Sequence, residues 1–199
     1  MLHNKRKFSQ EGIIFLLRML TQIKAVSFMN KIIQQEEIMK AKSNTRDLSP
    51  AEVDTFLREQ KVGMLSLTDG QYPYAIPLAY SYDNNAIYLT LGPQGKKMEY
   101  IGKNRNACFA VYWIPQEYGK GSGSWKSVIC NGDIEQLTAS EEIKKAVRVL
   151  EKHMGMPHGA LDKILEMQLK NPKASNFWRV NVKSSKGRGV ENFKEEFSE

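Results

Sequence analysis

Apolar and polar residues alternate with a period of two along much of this chain, the pattern of half-buried β-strands. The alternation is clearest between Tyr72 and Tyr82. One face of this segment carries Tyr74, Ile76, Leu78, Tyr80 and Tyr82, and the other carries Ala75, Pro77, Ala79 and Ser81. Because proline cannot donate a ladder hydrogen bond, we expect this strand at a sheet edge or locally unpaired. Its nearly bare face admits a flat molecule, although close sheet packing also favours small residues.

Further strands follow the same pattern. They are predicted at Val62–Thr68, Ile87–Leu91, Cys108–Trp113, Trp125–Glu135 and Phe177–Val182. Asp69-Gly70 is a strong hairpin signal between the first two strands of the chain. Gly132 interrupts the alternation of its strand and predicts a β-bulge.

Helix signals surround these strands. Ser49, Pro50 and Glu52 form a capping pattern that opens a helix ending near Gln60. Ser140 is expected to cap a helix that reaches Met154, and a further helix is predicted from about Leu161 to Leu169. The chain is therefore predicted to be α+β, a six-stranded, mostly antiparallel small barrel with flanking helices. We place this domain at residues 48–190, after a basic extension (1–47) and before an acidic tail (191–199).

The stretch Ala86–Trp113 carries candidate binding chemistry. Gly92, Pro93 and Gly95 end a strand, and Lys96 and Lys97 then open a short helix. The free amides and the dipole of a helix N-terminus favour anions, and fixed lysines add positive charge. We interpret this point as a candidate phosphate site. The alternative is a solvated lysine pair on an ordinary connection.

Charge and composition narrow the function classes. The chain has 199 residues and a formal net charge of +7. Residues 1–50 hold nine Lys/Arg against four Asp/Glu, and the remainder holds 20 against 18, so the globular part is nearly neutral. A nucleic-acid-binding domain needs a basic face on its folded body, so we expect no nucleic-acid partner.

The N-terminal extension has a different character from the rest. Lys5-Arg6-Lys7 precedes the apolar run Ile13–Leu17, which is too short to span a bilayer and lacks a clear cleavage site. The pattern through Ile33 predicts a moderately amphipathic basic helix, and Met29 or Met39 could serve as the start of translation. We expect the extension to pack on the body or remain mobile, and we do not expect contact with membranes. The protein is expected to be cytoplasmic.

Cysteines and histidines give little sign of a metal site. Cys108 and Cys130 lie in apolar strand patterns, and we expect both to be buried, reduced thiols. His153 and His158 are five residues apart without an obvious carboxylate partner, so we interpret them as packing or surface residues. The glycines between Pro115 and Ser124 lack the spacing of a phosphate-binding loop, and they predict a mobile surface loop.

Taken in order, these motifs resemble the FMN-binding split barrels related to pyridoxamine 5′-phosphate oxidase. The resemblance covers about Leu48 to Val190. It rests on Pro73–Leu78 (PYAIPL), Gly95-Lys96-Lys97, and the spacing from Lys97 to Asn104 and Trp113. The first two motifs are most similar to the nitroimidazole-resistance, flavin-nucleotide-binding branch.

The resemblance implies an FMN held at the interface of a homodimer. Ala75, Ile76, Pro77 and Leu78 would contact the isoalloxazine ring, and Thr90 would end the strand that lines it. Lys96 and Lys97 would bind the phosphate, and Lys126 and Ser127 would join from a later strand. Lysine supplies a point charge suited to a phosphate dianion.

Two departures from the family pattern limit the reaction that the resemblance implies. Thr90 replaces the histidine of the nitroimidazole-resistance proteins, and Ala75 and Tyr80 replace basic residues of the vitamin-pathway oxidases. We therefore predict a flavin-dependent oxidoreductase acting on a small planar substrate, with no protein side chain assigned as catalytic. The alternative is a non-enzymatic flavin- or haem-binding protein on the same scaffold.

Overall fold

The computed structural model describes Met19, Gln22 and residues 24–33, 45–116 and 123–190. The chain divides into two compact units, Met1–Asn44 and Thr45–Glu199. In the first unit, residues 24–33 form helix α1, as predicted for this part of the extension. Its apolar side chains are exposed, with Val26 at 60% and Phe28 at 65%. No helix within the described ranges is long and apolar enough to cross a membrane.

The second unit contains the remaining four α-helices and all eight strands of the described chain. The helices are α2 (Pro50–Glu59), α3 (Lys96–Lys103), α4 (Ser140–Met154) and α5 (Asp162–Leu169). The strands are β1 (Thr45–Asp47), β2 (Val62–Thr68), β3 (Pro73–Ala79), β4 (Ser81–Asp83), β5 (Ala86–Thr90), β6 (Asn106–Trp113), β7 (Trp125–Gln136) and β8 (Phe177–Val190).

All strand pairs are antiparallel, and they form one sheet with the order β3-β2-β6-β7-β8-β5-β4, to which β1 adds beside β8. The two ends of this order, β3 and β4, are joined through a single residue, Tyr80. The sheet must therefore roll up until its two edges meet. We call this meeting point, Ala79–Ser81, the seam. The result is the predicted α+β barrel. We call the opening beyond the seam, between β3 and the β4–β5 hairpin, the split.

Local chemistry explains the tight connections. In the β2–β3 turn, the Asp69 Oδ1 accepts hydrogen bonds from the backbone amides of Gln71 and Tyr72 at 3.0 and 2.8 Å. These amides hold the pKa of Asp69 at about 2, with a smaller contribution from Lys103. In the β4–β5 hairpin, Asn84 and Asn85 both adopt left-handed φ values of 46° and 60°, which asparagine tolerates better than most residues.

The longest strands form the spine of the barrel. β7 pairs with β8 over its whole length, and the register shifts at Asn131/Gly132, where the sequence predicted a bulge. The inner face of the sheet is buried against α2, whose Val53, Phe56 and Leu57 enter the main core. The predicted capping box is present: Ser49 Oγ accepts from Glu52 N, and the Glu52 carboxylate accepts from Ser49 N at 2.8 Å.

Helix α4 covers the outer face of the sheet beside the seam. Ile143, Ala146 and Val147 form a second core with Ala86 and Tyr88 of β5. Ser81 lies on the β4 side of the seam and is only 1% exposed. The alternation predicted for Tyr72–Tyr82 thus continues, but Ser81 is buried because a helix covers its side of the strand.

The structure corrects four details of the sequence prediction. The sheet has eight strands rather than six, because β1 adds a strand and the segment Tyr72–Tyr82 divides into β3 and β4. β8 extends eight residues beyond the predicted end at Val182, so Gly187 and Gly189 lie within it. Ser140 is the first residue of α4 rather than its cap, which is Ala139. β1 precedes the predicted start of the domain at Leu48.

Both cysteines are free thiols on neighbouring strands; the predicted burial is found for Cys130, whereas Cys108 is only partly buried. Cys130 is fully buried, and burial raises its pKa to about 12. Cys108 is partly buried on β6, and burial raises its pKa as well. Since thiolates are the reactive form, neither residue is an activated nucleophile in this environment.

His153 joins three elements near the seam. Its Nδ1 accepts a hydrogen bond from the Tyr82 amide at 3.4 Å, so Nε2 carries the proton that is donated to the Gln60 carbonyl at 2.8 Å. Burial lowers the pKa of His153, and the nearby cations Lys61 and Arg58 lower it further. The folded protein therefore binds a proton at this site less readily than the unfolded chain does.

The free energy of unfolding should consequently fall as the pH drops below the ordinary histidine pKa of about 6.5. Above that pH the imidazole is neutral in both the folded and the unfolded chain, and the contribution of His153 to the free energy of unfolding is fully present. Urea unfolding at pH 7.5, 6.5 and 5.5 checks this. Glutamine can both donate and accept, so His153→Gln should remove much of the pH dependence in this window. An unchanged slope in that variant would assign it to another group.

Candidate functional site

Strand β3 presents a bare outer face at the sheet edge. Ala75, Pro77 and Ala79 are exposed, whereas Ile76 and Leu78 point inward and pack against the core. Among the strands that the structure describes, β3 pairs with β2 alone, and Pro77 lies opposite Met64. This confirms the prediction of an edge strand at Pro77. A planar molecule can therefore approach the small side chains of the outer face closely.

Thr90 lies across the split from this strand. It is the exposed last residue of β5, after the buried Leu89. Thr90 and Leu78 both line a cavity of about 230 Å³ beside the seam, which we call the seam cavity. The structure therefore brings Thr90 together with Leu78, one of the four predicted β3 residues, whereas Ala75, Ile76 and Pro77 do not line this cavity.

The N-terminus of α3 is open, as a binding site for an anion requires. Its N-cap is Gly95, with φ 96° and no side-chain cap. Gly92, in the preceding loop, faces open space, since a Cβ added there would meet no atom within 4 Å. The Lys97 Nζ donates to the Gln94 carbonyl at 2.6 Å, which holds the ammonium group over the loop that precedes the helix.

Helix α3 is fixed to the β2–β3 hairpin at both of its ends. Near its start, the Lys96 Nζ lies 5.3 Å from the ring centroid of Tyr74 and 5.4 Å from that of Tyr100, within the range of cation–π contacts. At its end, Lys103 pairs with Asp69 at 3.3 Å. The first contact places Lys96 beside β3, and Lys97 follows it in the first turn of α3.

Lys126 and Ser127 lie elsewhere in the same chain. They begin β7 and pair with Trp113 and Tyr112 at the end of β6. Asp133, which pairs with Asn106 at the other end of β6, is seven residues further along β7. At about 3.3 Å per residue this is roughly 23 Å. Tyr74 and Lys96 lie near that distant end, because Tyr74 pairs with Leu67 at the end of β2. One chain therefore does not bring all nine predicted residues together.

The outer face of the sheet carries an apolar row that was not identified from the sequence. Pro77, Met64, Ala110 and Ile129 are successive register partners across β3, β2, β6 and β7. Ile129 is 47% exposed and Tyr112, two residues beyond Ala110, is 64% exposed. The signal was present as apolar residues on both faces of these strands, but only the sheet order shows that they adjoin.

The described part of the chain contains no cluster of His, Cys, Asp and Glu able to hold a metal ion. His153 has hydrogen-bond partners at both ring nitrogens. It is therefore engaged in the fold rather than directed at a ligand.

A rolled antiparallel sheet, split beside a bare edge strand and flanked by a short helix with an open N-terminus, defines the split-barrel class of protein. The family model described as pyridoxamine 5′-phosphate oxidase matches residues 49–189. The chain belongs to this family.

Solved structures show the same fold. A candidate 5-nitroimidazole antibiotic resistance protein from Bacteroides thetaiotaomicron is 21% identical, with a TM-score of 0.58 over 73% of this chain and 89% of that one. An FAD-binding protein from Mesorhizobium loti is 27% identical, with a TM-score of 0.55 over 74% and 99%. An FAD- and haem-binding protein from Mycobacterium smegmatis is 11% identical, with a TM-score of 0.58 over 77% and 76%. A comparison with curated proteins gave no match.

Proposed function

We propose that this protein is an FMN-dependent oxidoreductase that acts on a small planar substrate. The observation that carries the proposal is that one edge strand adjoins two features. β3 has a bare outer face, and its Tyr74, on the inward face of the strand, contacts Lys96 at the open N-terminus of α3. A flat ring on the first and a phosphate on the second are the two ends of a flavin mononucleotide.

The residues present fit this cofactor. Ala75 and Pro77 leave room for the isoalloxazine ring, and Ile76 and Leu78 hold the strand against the core beneath it. Thr90 offers a hydroxyl at the opposite side of the split. Lys96 and Lys97 supply positive charge, and the first amides of α3 supply donors. The bound flavin itself would supply the electron or hydride transfer, so the protein needs no nucleophile.

FMN is favoured over FAD because the site offers one anion-binding point. The chain has no dinucleotide fingerprint that would hold a second phosphate. The Mesorhizobium loti relative is nevertheless named as FAD-binding, so FAD is the competing ligand in any test.

Titrating flavin-free protein with FMN, FAD and riboflavin, followed by flavin fluorescence, tests the proposal. We expect FMN to bind most tightly, FAD less tightly, and riboflavin more weakly than FMN because it lacks the phosphate. FAD binding equal to or tighter than that of FMN contradicts the assignment of the cofactor. Failure of all three flavins contradicts the proposed function. Bleaching of the flavin absorbance by NAD(P)H then separates an oxidoreductase from a passive flavin carrier.

We further propose that the functional unit is a homodimer in which each flavin contacts both chains. The apolar row of Pro77, Met64, Ala110 and Ile129 is continuous with the bare face of β3, so a second copy covering the row would also cover the flavin. The separation of Lys126 and Ser127 from the other predicted residues supports this, because the partner's copies of these residues could complete the site.

Replacing Ile129 with lysine should dissociate this dimer, because it places a charge within the apolar row that the second copy would cover. Ile164→Lys is a matched control, since Ile164 is similarly exposed (42% against 47%) but lies on α5. Sedimentation velocity of the flavin-loaded proteins gives the answer. A wild-type protein that is monomeric while carrying flavin would rule out the shared site.

A further inference from the structure

The seam cavity lies between the outer side of the split and the second half of α4. Ala79 and Thr90 form an exposed rim. Ala146 and Leu150 of α4 and the buried Phe177 close the interior. The cavity thus has an open mouth at the proposed flavin site and an apolar interior.

Its wall contains an unpaired polar group. Ser81 is 1% exposed, and its Oγ is the one buried side-chain polar atom without a hydrogen-bond partner in the described residues. Two other hydroxyls of the lining have partners or solvent: Tyr80 donates to the Leu57 carbonyl at 2.9 Å, and Thr90 is exposed. Because buried polar groups normally have a hydrogen-bond partner, the hydroxyl of Ser81 is available to bond a ligand in the cavity.

The size of the cavity limits what can enter. An apolar cavity of about 150 Å³ holds benzene, and pockets for drug-sized ligands begin at about 300 Å³. A volume of about 230 Å³ therefore suits a single ring with a small substituent. It is too small for the three-ring system of a flavin with its ribityl chain, so the seam cavity adjoins the flavin site rather than forming it.

The charge of the ligand is limited as well. No Asp, Glu, Lys, Arg or His lines the cavity among the residues that the structure describes. An ionised carboxylate or phosphate placed there would lose its hydration without gaining a counter-charge, which is strongly unfavourable. The ligand is therefore neutral, and its polar part is small enough to be satisfied by one hydroxyl.

We propose that the seam cavity is the substrate pocket of this protein, and that it takes a neutral, single-ring aromatic or heteroaromatic molecule whose polar substituent hydrogen-bonds to Ser81. The inference rests on the proposed function in one respect, namely that the molecule bound here is the substrate of the flavin. Since serine has three staggered rotamers, its hydroxyl can turn toward a ligand in the cavity. The proposal excludes phosphorylated substrates.

Three probes of matched shape test the proposal on the full-length, flavin-loaded protein: benzamide (neutral and polar), benzoate (charged) and toluene (apolar). Binding is followed by amide NMR titration. We expect benzamide to shift the amide signals of Ser81 and Leu89 saturably, and benzoate to bind at least about tenfold more weakly because of its charge.

Two variants distinguish the contribution of the Ser81 hydroxyl from that of the space inside the cavity. Ser81→Ala should weaken benzamide binding by about two- to tenfold, the value of one neutral hydrogen bond, and leave toluene binding unchanged. Ala79→Leu narrows the mouth and should weaken both ligands; this exposed edge position tolerates a larger side chain. Ser185→Ala, an exposed serine on β8, is the control and should change neither.

Flavin affinity is measured on every preparation, so the two hypotheses can fail separately. If flavin binds but benzamide does not, or if benzoate binds as tightly, the substrate-pocket inference is overturned. The same holds if Ser81→Ala leaves benzamide affinity unchanged. If benzamide binds with the expected Ser81 dependence but no flavin binds, the proposed function fails and the cavity remains a ring-binding site without a redox role.

Discussion

Replacing Lys97 with alanine should weaken FMN binding by about one to two factors of ten. Lys97 occupies the first turn of α3, and its hydrogen bond to Gln94 holds the ammonium group above the open loop at the helix N-terminus. Side-chain charge and free backbone amides therefore converge on one point. A charge-assisted hydrogen bond contributes about 1.5–3 kcal/mol, and each ~1.4 kcal/mol corresponds to a tenfold change in affinity.

Riboflavin distinguishes a phosphate contact from a general effect. Because it lacks the phosphate, its affinity should be nearly the same for Lys97→Ala and the wild type. Lys103→Ala is the matched control on the same helix, since Lys103 lies in the last turn and pairs with Asp69. It should leave FMN affinity nearly unchanged. Fluorescence titration of each protein with both flavins measures these effects. Wild-type FMN affinity in Lys97→Ala would show that the phosphate binds elsewhere, and the assignment of Lys96 and Lys97 would have to be withdrawn.

Replacing Gly132 with alanine should have the largest effect on stability. A Cβ at this position would overlap the Asn181 carbonyl oxygen and lie 2.8 Å from the Asn181 carbonyl carbon. Both atoms belong to the backbone of β8, so no side-chain rotation can relieve the clash. The change must separate the spine strands β7 and β8 at the bulge. We expect a loss of at least about 3 kcal/mol, at the upper end of overpacking effects, from a total stability of about 5–15 kcal/mol.

Gly102→Ala is the contrasting control. Gly102 lies within α3 and its added Cβ would meet no atom within 4 Å. Alanine is a better helix former than glycine by about 0.5–1 kcal/mol, so this variant should be slightly more stable than the wild type. Urea unfolding of both variants measures the two effects with opposite signs. A Gly132→Ala protein with wild-type stability would mean that the bulge accommodates a side chain and that glycine is not required there.

Much of the fold could be predicted from local sequence because local chemistry decides it. The capping residues Ser49 and Glu52 mark the start of α2, Asp69-Gly70 marks the β2–β3 turn, and Gly132 marks the bulge. Each signal acts within a few residues of its own position. The strands predicted from the period of two were likewise found, because alternation reports burial on one face.

The strand count and the role of Ser81 required the tertiary structure. Tyr72–Tyr82 has one uninterrupted pattern, yet it forms two strands, since the rolled sheet brings its two edges together at Tyr80. Ser81 has the sequence context of an exposed residue, yet α4 covers it from a position more than fifty residues away in the chain. Neither event leaves a local signature.

Spacings within single segments were enough to predict the elements, the edge position of the Pro77 strand, the lysine pair at a helix start and the family resemblance that the family match confirms. Only the folded chain shows which segments meet. Lys96 lies on Tyr74, and Thr90 and Leu78 share a cavity. The apolar row joins four strands, and Lys126 and Ser127 lie far from the other candidate residues. Sheet order and strand register place residues side by side through hydrogen bonds between distant segments. A pattern read along one strand therefore specifies its faces but not its neighbours.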